Sequence, residues 1–427
     1  MGRIILKGAN LLDGRSPARP GCTVVVEGQR VTHVTTEAVQ VLPEDREIDL
    51  AGRTLMPGLC SGHFHASYHD YALEIFPLGI DKPPGYLTLR AAHAVRGALM
   101  AGFTSVAGAG GGDDIDVQLK MAIDDGLIPG PRILACSRDF TTRGGYVDLA
   151  NWWWRLGNVG AGLVRNGPEA LREAAREEMA RGAEILKLYV TGGHGNVNTA
   201  VREFSRDELE MVVRTAHERG RKVRAHCAWK PAILECIELG VDVIDHGDEI
   251  DAECIGAMVE AGTVLVPSAL YLERLLGLEA IHAPGYEALV ETTERELENL
   301  LRWIPEANAA GVKLVLGDDY GTIVLRHGAY ADELEFYVKR AGIAPLDVIR
   351  WATVHGADLM GLGDELGSVE EGRLADLLVV DGDPSVDITV LKEPHHLRMI
   401  FKGGQLVKDA LEPGPSEHKE GGTHARV

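Results

Sequence analysis

Strand-like and helix-like stretches alternate between residues 54 and 317, and this periodicity constrains the fold more than any other feature of the sequence. Short apolar runs bounded by turn residues predict the strands. The eight predicted strands are Thr54–Leu59, Thr104–Ala107, Arg132–Cys136, Ile185–Val190, Lys222–His226, Val241–Asp245, Thr263–Pro267 and Val312–Gly317. Eight strands that alternate with helices predict an α/β fold, a (β/α)8 TIM barrel, whose active site lies at the carboxyl ends of the strands.

The segments between the strands carry helical patterns with recognisable ends. The predicted helices are Leu87–Ala101, Pro168–Arg181, Arg206–Arg219, Pro231–Leu239, Ala252–Ala261 and Tyr286–Ala310. Pro168 suits a first helical position, and Ser205 with Glu208 reads as a capping box. Each of these helices is followed by a glycine, which is typical of a helix carboxyl end.

The two ends of the chain predict small antiparallel strands. Short β-like runs separated by turns occupy residues 1–57 and recur in residues 366–410. Neither piece has enough residues to bury a core alone, so we expect them to pair into one composite β-sandwich beside a barrel of residues 58–365. Residues 411–427 are polar and rich in glycine and proline, which predicts a disordered tail.

Composition and charge restrict the class of partner. The 427 residues include 43 Lys plus Arg and 64 Asp plus Glu, a formal net charge of −21. A surface this acidic repels nucleic acid and anionic lipid, so neither is expected as a partner. No apolar run approaches the roughly 20 residues that span a bilayer, and the amino terminus lacks a secretory pattern. The six cysteines are scattered without paired spacing. Together these features predict a cytoplasmic protein with reduced thiols.

Residues that can bind metal fall at the ends of the predicted strands. His63 and His65 follow the first strand two residues apart, so both imidazoles share one face of an extended chain and can reach one ion. His226 ends the fifth strand and His246 follows the sixth. Because these strand ends meet at one mouth of a barrel, the sequence predicts a metal site there.

A lysine and a pair of aspartates complete this set. Lys187 lies inside an otherwise apolar strand, where a charged amine is costly unless it is paired. One interpretation is a buried salt bridge to a barrel carboxylate. The other is a neutral amine that reacts with carbon dioxide, because the resulting carbamate is an anion able to bridge two cations. Asp318 and Asp319 follow the eighth strand and supply a carboxylate.

Four histidines, one lysine and one aspartate in this strand order resemble the amidohydrolase superfamily, and the resemblance covers nearly the whole chain. Within the superfamily, the imidazolonepropionase-like and prolidase-like branch is the most similar. The motifs that carry the resemblance are Met56-Pro57-Gly58-Leu59 before His63, Lys187 with Thr191-Gly192-Gly193, Ala225-His226, Asp245-His246-Gly247 and Gly372-Arg373-Leu374-Ala375-Asp376.

The resemblance implies a binuclear metal centre. One divalent ion would bind His63, His65 and the aspartate, a second would bind His226 and His246, and carboxylated Lys187 with a hydroxide would bridge them. The aspartate would act as general base. Zinc suits the mixed nitrogen and oxygen ligands, and manganese or cobalt would fit too.

Asp319 aligns with the family's catalytic aspartate. Asp318 then occupies a neighbouring hydroxyl position, where it would support the site from behind. The opposite assignment of the two aspartates stays open at this stage.

These features predict an enzyme that hydrolyses a carbon–nitrogen bond (amide, urea or carbamate) in a small molecule. The alternatives are an Xaa-amino-acid dipeptidase, a cyclic-amide hydrolase or a deaminase, and, in another class, a non-catalytic scaffold protein. Barrels of this type with a β-sandwich often form dimers or rings, so a homo-oligomer is expected.

Three further features concern the substrate. His194 follows the fourth strand and is a candidate to orient substrate or stabilise an oxyanion, with a surface loop histidine as the alternative. Tyr189 shares the face of Lys187 and is a candidate contact for the substrate carbonyl. Trp152–Trp154 lie in a connection of about 30 residues, a length typical of lids. They predict either a lid over an aromatic or bulky apolar substrate, or loop packing or a subunit interface.

Overall fold

The computed structural model describes residues 2–69, 82–148, 162–197 and 199–411. The predicted lid residues Trp152–Trp154 and the predicted tail from residue 412 onward lie outside the described residues. In the described part of the chain, no helix is both long and apolar enough to cross a membrane. All six cysteines are buried and none forms a disulfide.

Strands and helices alternate through the middle of the chain, and strands dominate its two ends. The strands of the described residues are β1 (Ile4–Leu11), β2 (Arg19–Glu27), β3 (Arg30–Thr35), β4 (Arg46–Asp49), β5 (Thr54–Pro57), β6 (Leu59–Phe64), β7 (Phe103–Gly108), β8 (Arg132–Leu134), β9 (Cys136–Thr141), β10 (Gly162–Val164), β11 (Ile185–Tyr189), β12 (Lys222–Cys227), β13 (Val243–His246), β14 (Val264–Val266), β15 (Lys313–Leu314), β16 (Leu377–Val380), β17 (Leu397–Lys402) and β18 (Gln405–Asp409). The α-helices are α1 (Pro84–Met100), α2 (Ile115–Asp124), α3 (Pro168–Arg181), α4 (Arg206–His217), α5 (Lys230–Glu238), α6 (Ala252–Ala261), α7 (Ala269–Leu276), α8 (Glu287–Ala310), α9 (Asp332–Lys339), α10 (Pro345–Arg350) and α11 (Gly356–Leu359).

Parallel strands from β6 to β15 form the wall of a barrel. Their orders are β6-β7-β8 and β10-β9-β11-β12-β13-β14-β15. β8 and β9 are two parts of one strand interrupted at Ala135, since β8 pairs with β7 and β9 pairs with β11. The ring closes where the amide of Gly62 donates to the carbonyl of Leu316. With β8 and β9 counted together and β10 as an added edge strand, the predicted eight-stranded barrel is confirmed.

The predicted first barrel strand, Thr54–Leu59, is wrong, because the chain changes sheets within it. β5 pairs with β1 and β16 outside the barrel, whereas β6 pairs with β7 inside it. Gly58 lies between them, where a Cβ atom would stand 2.1 Å from Oγ1 of Thr104. Only glycine allows this close approach of two strands. The first barrel strand therefore begins at Leu59 and includes His63.

Eight strands from the two ends of the chain form one mixed sheet beside the barrel. Its order is β18-β17-β16-β5-β1-β2-β3, with β4 beside β1, so the amino-terminal and carboxyl-terminal pieces meet where β5 and β16 pair. Leu378 and Val380 pack into the barrel core, whereas Leu377 and Val379 belong to a separate core that includes Leu6. Successive side chains of β16 point to opposite faces of the strand, so β16 packs against both cores and joins the two domains.

One buried carboxylate ties the mixed sheet to the barrel. Asp376, just before β16, accepts two hydrogen bonds of 3.0 Å from the guanidinium of Arg132 in β8. It also accepts a bond of 2.6 Å from the amide of Gly403, and the residue is 4% exposed. A two-pronged contact between Arg and a carboxylate is among the stronger polar interactions in proteins.

We expect Asp376→Ala to destabilise the protein by about 1–3 kcal/mol, because it leaves the half-buried Arg132 and a backbone amide without their acceptor. The matched control is Asp409→Ala, which removes the exposed pair between Asp409 and Arg46 and should cost less than about 1 kcal/mol. Urea unfolding followed by circular dichroism measures both changes. Equal losses for the two variants would contradict the role given to Asp376.

Candidate metal centre

The six residues predicted as metal ligands all lie at or near the carboxyl ends of barrel strands. His63 lies in β6, and His65 is the first residue after that strand. The others lie on or after β11, β12, β13 and β15. Most are inaccessible to solvent, and the Asp319 side chain is 17% exposed. The six residues are His63, His65, Lys187, His226, His246 and Asp319.

His63, His65 and Asp319 form the tightest group. The two Nε2 atoms of the histidines are 3.0 Å apart, and Oδ1 of Asp319 lies 3.0 Å from that of His63 and 3.3 Å from that of His65. Donors about 2.1 Å from a shared ion lie about 3–3.6 Å from one another. The spacing of these three atoms therefore fits a single divalent cation.

The other ring nitrogens of this pair are held by the protein. Nδ1 of His63 lies 3.2 Å from Oδ1 of Asp245, and Nδ1 of His65 lies 2.9 Å from the carbonyl of Gly110. The carbonyl of Gly110 can only accept, so Nδ1 of His65 carries the proton and its Nε2 keeps the lone pair. Nδ1 of His63 lies 3.2 Å from the donor Nη2 of Arg224 as well as from Asp245, and a proton on this nitrogen leaves its Nε2 free. This is the arrangement of ligating histidines in metal sites.

The two adjacent aspartates face different surroundings. Asp319 faces the histidines, whereas Asp318 is fully buried and accepts hydrogen bonds of 3.0 and 3.3 Å from the amides of Leu270 and Tyr271 at the start of α7. Burial and the neighbouring Asp319 raise the pKa of Asp318 to about 8. Burial also opposes ionisation of Asp319, but the adjacent His63 outweighs it and holds the pKa of Asp319 well below its ordinary value.

His226 and His246 form a second histidine pair. Their ring centroids are 4.4 Å apart, and the centroid of His246 is 5.3 Å from that of His63. Burial is the main cause that lowers the pKa of both imidazoles well below the ordinary value, and nearby positive groups add to it. Both imidazoles are therefore neutral. Nε2 of His226 and Nδ1 of His246 are buried and have no hydrogen-bond partner among the described residues. Neutral imidazoles with unpartnered nitrogens fit a bound cation.

Lys187 lies in the centre of the barrel in contact with a carboxylate. Its Nζ is 2.6 Å from Oδ2 of Asp245, which is the geometry of the salt-bridge interpretation. Arg224 also donates to Asp245, with Nε 2.9 Å from Oδ2 and Nη2 2.5 Å from Oδ1. Burial opposes ionisation of Asp245, yet Arg224 and Lys187 hold its pKa well below the ordinary value.

Sequence reasoning missed Arg224 and Asp245 as functional side chains. Arg224 lies two residues before His226, and Asp245 directly precedes His246. A charged residue inside an apolar parallel strand is the signal that identified Lys187, and it applies equally to these two positions.

His194 is buried against the other histidines rather than on the surface. Its ring stacks on that of His246 with centroids 3.7 Å apart, and its Nδ1 is 2.9 Å from Oδ1 of Asp248. Burial lowers the pKa of His194, but the adjacent Asp248 outweighs it and the net pKa is about 9. Sequence reasoning also missed Asp248, the carboxylate partner of His194.

Two tyrosines flank the second histidine pair. The ring of Tyr189 stacks on His226 with centroids 4.6 Å apart, and Tyr146 stacks on Tyr189 at 5.8 Å. Tyr189 is buried and Tyr146 is 38% exposed. The three rings form a stack, in which Tyr146 is the exposed member.

Comparison with known proteins agrees with this architecture. Residues 54–407 match the model of the Amidohydrolase family. An ochratoxinase from Aspergillus niger is 30% identical over 375 residues, which cover 83% of this chain and 75% of the ochratoxinase. A crystal structure of A. niger ochratoxinase superposes with a TM-score of 0.84 at 26% identity, and the match covers 96% of each chain.

Solved peptidases have the same fold. A Xaa-Pro dipeptidase with bound methionine in its active site superposes with a TM-score of 0.85 at 27% identity, over 95% of this chain and 100% of the dipeptidase. A prolidase complexed with N-methylphosphonate-L-proline gives a TM-score of 0.85 at 28% identity, with the same coverage of each chain. Because the family match covers the whole barrel and the strands of the mixed sheet from β5 onward, the chain belongs to the amidohydrolase family and is a hydrolase of carbon–nitrogen bonds in non-protein substrates.

Proposed function

We propose that this chain hydrolyses an amide bond in a small molecule, with two divalent cations held at the mouth of the barrel. One observation carries the proposal: two groups of buried histidines share the Asp319 carboxylate in a barrel of this family, with the ligand atoms of each group within 4.8 Å of one another. His63, His65 and Asp319 would hold one cation, and His226 and His246 the other. When bound, such cations lower the pKa of water and polarise a carbonyl oxygen.

Asp319 is the proton carrier of the proposed reaction. Hydrolysis adds the oxygen of water to the carbonyl carbon, breaks the carbon–nitrogen bond and transfers one proton from water to the leaving nitrogen. A general base has to lie within reach of the attacking water. Asp319 is ionised and borders the cluster, so its carboxylate accepts the proton and then donates it to the amine.

We further propose that Lys187 is carboxylated in the active enzyme. The ion pair between Lys187 and Asp245 does not oppose this step, because Arg224 contacts both oxygens of Asp245 and balances its charge without the lysine. The ammonium group would first lose one proton, and the neutral amine would then form an N–C bond with carbon dioxide and release a second proton, so that a cation is replaced by an anion. That anion would lie near His63, the partner of Asp245, where two cations require negative ligands.

The exposed ring of Tyr146, which stacks on Tyr189 near His226, favours a substrate with a flat apolar group next to the scissile bond. Similarity to an ochratoxinase, a dipeptidase and a prolidase favours an amide over a urea or carbamate. Cleavage of Xaa-amino-acid dipeptides is the second candidate, supported by the same fold in the dipeptidase with bound methionine. The homo-oligomer and the cytoplasmic location stay predictions.

Metal-loaded enzyme should release amino acid from N-aroyl amino acids faster than from N-acetyl amino acids, because the exposed ring of Tyr146 would stack on the aroyl group. Dipeptides, anilides and phenylureas complete the panel, and liquid chromatography measures both products. Prolonged treatment with a chelator should abolish turnover, and zinc, manganese or cobalt should restore it. Turnover confined to dipeptides would select the second candidate, and release of ammonia from an aminated ring would contradict both.

The variant Asp319→Asn should lower kcat by about 10²–10⁴-fold, because an amide cannot accept the proton of water. It should retain more metal than activity, since the amide oxygen can still ligate. The matched control is Asp318→Asn, whose amide oxygen can accept the same backbone hydrogen bonds, so about a tenfold loss is expected. A greater loss in Asp318→Asn would reverse the roles of the two aspartates.

Lys187→Ala should lose most of its activity and bound metal, and short carboxylic acids such as acetate or propionate should restore part of both by replacing the carbamate. Steady-state kinetics and metal analysis by mass spectrometry provide the two measurements. Lys222→Ala is the matched control, because this lysine lies at the opposite end of the barrel and donates to the carbonyls of Asp358 and Leu359. Full activity and metal content in Lys187→Ala would refute the carboxylated bridge.

A further inference from the structure

Asp139 is a buried carboxyl group in the barrel that has no role in the proposed reaction. We propose that Asp139 is a positioning residue for the carboxylated Lys187, and that its carboxyl group donates a hydrogen bond to the carbamate. The proposal rests on the carboxylated lysine of the proposed function and gives that group a partner. Asp139 itself is not a metal ligand in this arrangement.

Neighbouring strands place Asp139 and Lys187 side by side. In the parallel pairing of β9 with β11, Asp139 is the Cα partner of Lys187, so the two side chains leave the sheet on the same face. Both residues are inaccessible to solvent. A Cβ atom on Gly110 would lie 1.8 Å from Oδ1 of Asp139 and 3.2 Å from Cγ of Lys187. The two side chains therefore border the same space in front of Gly110.

Gly110 makes room for the carboxyl group of Asp139. Its φ of 111° lies in the region that favours glycine, and an oxygen of Asp139 occupies the volume that a side chain would need. The carbonyl of Gly110 also binds Nδ1 of His65 at 2.9 Å. Asp139 therefore lies against the backbone that supports the first metal-binding group, next to Lys187.

Neither oxygen of Asp139 has a hydrogen-bond partner within the part of the chain that the structure describes. By contrast, the buried Asp245 contacts both Arg224 and Lys187. An ionised carboxylate buried without a partner carries a large free-energy penalty, so the neutral acid is favoured. Burial raises the pKa of Asp139 to about 8, although the nearby Lys187 opposes this shift. The neutral acid has an O–H group that needs an acceptor.

Carboxylation of Lys187 supplies that acceptor. The carbamate ends in two oxygens that share a negative charge, and a hydrogen bond to an ionised acceptor is about twice as strong as a neutral one. Arg224 is a buried donor of the same cluster, but each of its three nitrogens already donates to Asp245 or to a backbone carbonyl. Asp139 has no such competing partner.

NMR of the carbamate carbon tests the proposal, because zinc-loaded enzyme in isotope-labelled bicarbonate shows this carbon independently of turnover. Asp139→Leu removes the polar group at a similar side-chain size. The bicarbonate concentration that gives half of the maximal carbamate signal should then rise about tenfold. Asp139→Asn keeps an N–H donor and should stay within about threefold of wild type, with unchanged zinc content by mass spectrometry.

Thermal unfolding of the metal-free enzyme separates this role from a structural one. Asp139→Leu should unfold at the wild-type temperature or above it, because it removes a buried polar group that has no partner. Asp139→Ala replaces Asp139→Leu if the latter does not fold.

Asp116→Asn is the matched control for the carbamate signal. Asp116 is also a buried carboxyl group, but it accepts a hydrogen bond of 3.3 Å from the amide of Cys136. An amide oxygen can accept the same bond, so the carbamate signal of this variant should match that of wild type.

A carbamate signal in Asp139→Leu equal to that of wild type at every bicarbonate concentration would overturn the proposal. Equal losses in Asp139→Leu and Asp139→Asn would overturn it as well, because a carboxylate and not a donor would then be required. A wild-type enzyme without any carbamate signal would instead refute the carboxylation in the proposed function, and this outcome distinguishes the two failures.

Discussion

The buried charge cluster around Asp245 is the interaction on which the site depends. Asp245 contacts Lys187, Arg224 and His63, and all four side chains are inaccessible to solvent. Arg224 also donates to the carbonyls of Gly108 and Gly62. Ions cannot be buried singly without a large free-energy penalty, so the members of this cluster stabilise one another. The four side chains lie on β6, β11, β12 and β13, and the carbonyl of Gly108 lies on β7, so the cluster connects the ends of five strands.

The same cluster orients the first metal-binding group. Nδ1 of His63 lies 3.2 Å from both Asp245 and Arg224, so this ring nitrogen is held by the cluster and Nε2 is the nitrogen that faces His65 and Asp319. The different positions of Asp318 and Asp319 after the eighth strand have a comparable cause. The free amides at the start of α7 bind Asp318, which holds that carboxylate behind the strand end, and the next residue along the chain, Asp319, is turned into the mouth.

The chain combines the family framework with a further buried histidine, His194, beside the predicted ligands. The barrel and the mixed sheet agree with membership of the amidohydrolase family. His194 adds a fifth imidazole to the same cluster, with its own carboxylate partner and a strained backbone held by Glu296. Arrangements of this kind distinguish members of a family that share a fold but act on different substrates.

The sequence by itself determined the barrel, the helix ends and most of the candidate ligands. These features follow from local rules: strand and helix periodicity, glycine after helices, and two histidines two residues apart on one face. The fold then brings the strand ends to one mouth, as any barrel must.

Only the tertiary structure decided which side chains contact one another there. The change of sheets at Gly58, the partners of Lys187, the contrast between Asp318 and Asp319, and the contact of His194 with Asp248 each depend on residues distant in sequence. No local pattern encodes such contacts, because they arise from closing the barrel and from excluding water around charged groups that must then find partners.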